Sequence, residues 1–120
     1  MLVNRINLFW GTNWSAAPEP FTERSLRNDD RTPDLLIGAV DTRGARRTIG
    51  SALTAPSQGT TYWLDLANNA ASGQYILGQP LNWQNRRKAE RLRTVTELYP
   101  EIVDADAGED ALPSCSAVEL

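Results

Sequence analysis

Asp41 closes the run Asp34-Leu35-Leu36-Ile37-Gly38-Ala39-Val40-Asp41, in which six apolar or small residues follow one another without a polar break. An uninterrupted apolar run suits a strand buried on both faces, the habit of parallel sheets. A carboxylate at the C-terminal tip of such a strand stands where open α/β sheets present ligand-binding groups. It is also a good helix N-cap, as is Thr42 behind it, and that role needs no ligand. Arg43, Arg46 and Arg47 follow at once. A guanidinium matches phosphate or carboxylate bidentately, so Arg46 reads either as the partner of such a group or as a solvated helix-face cation. Arg43 and Arg47 read as solvated. Cys115 is the one thiol of the chain. A lone cysteine is more often inert than nucleophilic, and the nearby Asp110 and Glu119 do not favour a thiolate.

The elements that must position these groups follow from periodicity. Asp34 to Val40 is the predicted strand. From Thr42, the residues Ala45, Ile49, Ala52 and Leu53 recur at helical spacing, which predicts a helix to about Leu53. Thr61 to Leu66 is rich in β-formers and predicts the next strand, and Gln74 to Gly78 a further one. The short connection of small and polar residues between them predicts a hairpin-like antiparallel pair. Thr94-Val95-Thr96-Glu97 has the pattern of a capping box ahead of a helix that Pro100 keeps short. Val3 to Trp10 fits either a helix end or an entering strand. Trp14 to Phe21, with Pro18 and Pro20, suits an edge strand or extended arm. Trp10, Trp14, Trp63 and Trp83 are expected in core and edge packing. From Asp104 onward the chain is acidic and rich in small residues, a loop or tail.

Composition limits the function. A chain of 120 residues is one domain at most. No apolar run approaches the ~20 residues of a membrane span. No signal-peptide pattern opens the chain, so a reducing cytosol is the expected compartment. Histidine is absent, which removes the commonest general base and transition-metal ligand and argues against a closed zinc site. The net charge is −3, yet Arg86, Arg87, Lys88, Arg91 and Arg93 cluster ahead of an acidic stretch. These read as solvated segments that pair with each other. The acidic balance disfavours nucleic-acid binding, which needs a net positive footprint.

The order of a buried strand, Asp41-Thr42-Arg43-Gly44-Ala45-Arg46, a second strand and a Gly73-Gln74 strand start resembles the ThiF family. That family includes the enzymes that activate ubiquitin-like and sulfur-carrier proteins. Its D-N-x-x-x-R nucleotide motif corresponds to Asp41 through Arg46, with Thr42 in place of the asparagine. Leu112-Pro113-Ser114-Cys115-Ser116-Ala117 resembles the loop that carries a thioester-forming cysteine in many members. The wording of residues 68–78, 98–104 and 112–116 is most similar to the ThiF-like proteins of PRTRC systems, typically encoded on bacterial plasmids and integrative elements. There is no G-x-G-x-x-G in the sequence, so the chain resembles an internal fragment without the glycine-rich N-terminal half.

The resemblance implies an α/β, partial Rossmann-like domain over residues 1–103, with a mostly parallel sheet, a hairpin-like strand pair and flanking helices. It implies an acidic crossover-loop-like tail over 104–120 that carries Cys115. The implied activity is ATP-dependent adenylation of the C-terminus of a ubiquitin-like or sulfur-carrier protein. Asp41 would contact Mg²⁺ or ATP, Arg46 and Thr42 would contact the nucleotide, and Cys115 would accept the acyl group. A bacterial cytoplasmic location and a homodimer belong to the same expectation. The alternative is a non-catalytic interaction module that has lost nucleotide binding.

Overall fold

The computed structural model describes residues 2–26, 32–68 and 71–103. Helix α1 spans Leu2–Trp10, strand β1 Leu35–Gly38, helix α2 Arg43–Leu53, strand β2 Tyr62–Asn68 and strand β3 Gly73–Gly78. A four-residue helix α3, Val95–Leu98, and a 3-10 turn, Pro100–Ile102, complete the order. The architecture is mixed α/β. One three-stranded sheet runs β1-β2-β3. β1 pairs with β2 in parallel, and β2 with β3 antiparallel. The hairpin is therefore present, while the expected mostly parallel sheet is half parallel and half antiparallel.

α2 forms the crossover that a parallel β1–β2 pair requires. Its buried residues Arg46, Ile49, Gly50 and Leu53 recur at three- and four-residue spacing, a single stripe that lies on the sheet. Thr42 caps it: the hydroxyl accepts a hydrogen bond from Ala45 N at 3.1 Å. Ile49, Leu53, Trp63, Val95 and Ile102 make the core, with Leu36, Val40 and Ile76 packed against it. Gly50 and Gly78 let α3 approach. A Cβ at Gly78 would stand 2.5 Å from Thr94 Cα, inside the backbone that leads into α3. Glu97 reaches back to accept from Thr94 N at 3.3 Å, as its predicted capping role requires.

The loops around this core are tied by side-chain amides. Gln58 Oε1 accepts from Gly59 N, Thr60 N and Thr60 Oγ1. Asn82 Nδ2 donates to Leu53 O and Thr60 O, and Asn85 Nδ2 to Thr61 O and Pro80 O. Both asparagines are buried, so each gives a buried carbonyl the partner it needs.

Two expectations need correction, and one pair of alternatives is narrowed. β1 is four residues long and is covered on one face only: Leu36 and Gly38 turn towards α2, while Leu35 and Ile37 are exposed. An apolar run signals burial but does not say that a second layer lies on the other side. Of the two readings of Trp14 to Phe21, the edge strand does not form, which leaves the arm. Among the four tryptophans only Trp63 is buried; Trp10, Trp14 and Trp83 are exposed. No helix among the described residues is long and apolar enough to cross a membrane.

Candidate functional site

The strand register builds the site. Gly38, the last residue of β1, stands beside Asp65 of β2, and Asp65 beside Ile76 of β3. Asp65 lies on the covered face, two residues from Trp63, so α2 closes over it. Arg46, in the second turn of α2, meets it there. Its Nε donates to both carboxylate oxygens at 3.0 Å, and its Nη2 donates to Leu66 O at 3.4 Å. The two side chains are only 11% and 2% exposed. Burial pushes the Asp65 carboxyl above its ordinary range, and the hydrogen bond and charge of Arg46 oppose that push.

This pair fixes the start of α2 against the sheet, and with it the chain that leaves β1. Asp41 stands exposed in that segment, three residues beyond the end of β1 and directly before the Thr42 cap. A cleft of about 190 Å³ opens beside the same helix turn, lined by Arg43, Arg46 and Asp65 with Gln74, Tyr99 and Glu101 across from them. Asp41 is not among the residues lining it. Ala67, Val95 and Ile102 complete the lining, so apolar and polar groups share the cleft, and Arg46 and Asp65 meet each other across it.

Of the residues singled out in the sequence, the fold brings together Asp41, Thr42 and Arg46 at one end of α2. Thr42 spends its hydroxyl oxygen on the cap. Arg46 does hold a carboxylate, but that of the chain's own Asp65. Arg47 turns elsewhere and donates to Val103 O at 3.3 Å. Cys115 and the rest of 104–120 lie outside the described residues. Asp65 escaped the sequence reading. The signal was there: an acid two residues from Trp63 in an alternating strand shares its buried face, and a buried carboxylate needs a cation.

Within the basic cluster, Arg91 grips Glu97 through two hydrogen bonds of 2.7 Å and donates to Gln79 O. The intended pairing thus involves α3. Arg86, Arg87, Lys88 and Arg93 are exposed.

Compared with protein-family models, with curated proteins and with solved structures, the chain matches none.

Proposed function

We propose that the chain is the central part of a ThiF-type, Rossmann-like activating domain that adenylates the C-terminal carboxylate of a ubiquitin-like or sulfur-carrier protein. The observation that carries this reading is the position of Asp41. It is exposed, beyond the carboxyl end of a strand paired in parallel, and immediately before a capped helix. That is the place where α/β sheets meet nucleotides and their metals.

The donor chemistry fits Mg²⁺, which takes one or two carboxylates and completes its shell with water and substrate phosphates. An ion held by Asp41 would complete its shell from water and the triphosphate oxygens. When bound, the ion offsets charge on the triphosphate. The chain's own part is positional. Arg46 and Asp65 lock α2, Thr42 shapes its first turn, and Asp41 is held at the rim. The carrier's carboxylate oxygen bonds to the α-phosphorus as the bond to pyrophosphate breaks, and such transfers depend mainly on positioning and charge. Cys115, deprotonated to the thiolate, would then take the acyl group: its Sγ bonds to the acyl carbon as the bond to AMP breaks, giving a thioester and free AMP.

A second reading, the non-catalytic interaction module, is favoured by one observation: an apolar face of the sheet that no element among the described residues covers. ATP–pyrophosphate exchange separates the two. With a candidate carrier and a glycine-rich partner half supplied in trans, exchange that falls in Asp41→Asn supports adenylation. Absence of exchange transfers the case to the interaction module.

A further inference from the structure

The loop from Gln79 to Leu92, between β3 and α3, is tied at both ends. Gln79 N donates to Leu92 O at 2.9 Å, and Leu92 N donates to Gln79 Oε1 at 3.0 Å. Arg91 adds a bond to Gln79 O at 2.6 Å. Inside the loop, Arg86 N donates to Asn82 O and Lys88 N to Asn85 O, so residues 82–88 wind as a helical turn. Asn82 and Asn85 form its buried side and hold the carbonyls of Leu53, Thr60, Thr61 and Pro80. A compact loop whose ends meet and whose own side chains pack beneath it is frequently functional.

The other side of the turn carries Trp83, Arg86 and Arg87, at the three- and four-residue spacings that bring helical side chains together. Trp83 is 54% exposed, and its ring meets no other ring among the described residues. Arg91 is taken by Glu97. Arg86, Arg87, Lys88 and Arg93 are exposed and form no ion pair among the described residues. Like charges held side by side repel, and the anchored turn keeps Arg86, Arg87 and Lys88 from spreading apart. An anion lying across them relieves that repulsion. Between Gln79 and Arg93 the cations Arg86, Arg87, Lys88, Arg91 and Arg93 face a single acid, Glu90. The net charge of −3 belongs to the whole chain, whereas binding is decided at the footprint, since charges beyond a screening length of about 8 Å contribute little.

We propose that this loop is a binding site for single-stranded nucleic acid, with Arg86, Arg87 and Lys88 on phosphates and Trp83 stacked on a base. Guanidinium groups take phosphate bidentately, and cations beside an aromatic platform are the combination that retains a single strand. An acidic peptide answers the charges alone. The indole among them favours a ligand that alternates phosphates with flat rings, and a duplex keeps those rings hidden in its stack. The site is separate from the rim of β1. The loop leaves the sheet where β2 begins, since Gly78 pairs with Trp63, whereas Asp41 follows the end at which β1 finishes.

The test is fluorescence anisotropy of the full chain with labelled oligo(dT) of about 12 nucleotides, within the site sizes of single-strand binders. An abasic oligomer of the same length and a labelled poly-glutamate peptide run beside it, at salt from about 50 to 200 mM. Oligo(dT) should bind, with a log–log salt slope of about −2, from about −0.7 for each phosphate met by three cations. Arg86→Gln should make that slope shallower by about 0.7. Trp83→Ala should weaken oligo(dT) about fivefold or more, the loss of one stacked base, and leave the abasic oligomer unchanged. Both variants change exposed side chains, so circular dichroism should match wild type. No binding of oligo(dT) at the lowest salt overturns the proposal. So does poly-glutamate bound as tightly as oligo(dT), which assigns the loop to an acidic protein. An equal effect of Trp83→Ala on the abasic oligomer overturns it too, because the indole then only shapes the loop.

Discussion

Arg46 and Asp65, nineteen residues apart in sequence, meet at 3.0 Å under α2, and both carboxylate oxygens accept from the one Nε. The contact joins the crossover helix to the central strand level with the end of β1. It therefore sets where the chain emerges towards Asp41.

Removing one partner of a buried pair leaves the other charge uncompensated, which costs about 3–5 kcal/mol. Arg46→Met should lower stability by that order in urea unfolding, and Arg46→Met with Asp65→Leu should recover most of the loss. The pH dependence has a defined sign. In Arg46→Met, burial raises the Asp65 carboxyl with nothing to oppose it. The folded state then holds a proton that the unfolded state has released, so stability is greatest in acid and falls as pH rises through the folded value. The gap between variant and wild type should narrow on acidification.

Gly78 tests the approach of α3. A Cβ there would lie 2.5 Å from Thr94 Cα and 2.9 Å from Arg93 O, both backbone atoms that cannot swing aside. Gly78→Ala should cost about 1–3 kcal/mol as an overpacking change. Gly73→Ala, whose Cβ would stand 3.5 Å from Ala67 O, is the control and should be mild. Urea midpoints compare the two.

Glu97 links α3 to the basic cluster. Its hydrogen bond to Arg91 holds the carboxyl below the ordinary range; partial burial opposes this, and Thr94 adds to the lowering. A lowered folded pKa gives stability that is complete above the unfolded value of about 4.3. It is lost as pH falls through the folded value. Glu97→Gln should cost about 0.5 kcal/mol at neutral pH, the scale of a partly exposed pair, and match wild type in strong acid.

At the rim of β1, cap and ligand roles separate. Thr42→Ala should lower stability by about 1 kcal/mol through loss of the cap. Asp41→Asn should leave stability unchanged but, with the glycine-rich half supplied in trans, weaken the proposed binding of Mg·ATP in calorimetry. With a carrier, ATP and a glycine-rich half supplied in trans, a reductant-sensitive thioester should form on the chain and vanish in Cys115→Ala. A thioester that persists in that variant clears Cys115 of the role.

The sequence by itself determined the order of elements from β1 to α3, because each rests on local rules, while the first helix stayed undecided between helix and strand. Ile49 and Leu53 repeat at helical spacing, Thr42 accepts the first-turn hydrogen bond, and Glu97 follows Thr94 at capping-box distance. The hairpin, too, was legible in its short connection. Asp41 before a capped helix was readable for the same reason. What lay on each side of the sheet was not. Apolarity at Leu35 and Ile37 records an affinity for a cover without stating where the cover comes from, and tertiary packing left that face open. The exposed tryptophans repeat the point. The partner of Arg46 also belonged to the fold alone: an arginine's charge is visible in the chain, but whether it faces water, a ligand or a carboxylate depends on which strand lies beneath its helix. Burial decides it, since a desolvated Asp65 requires the nearest guanidinium.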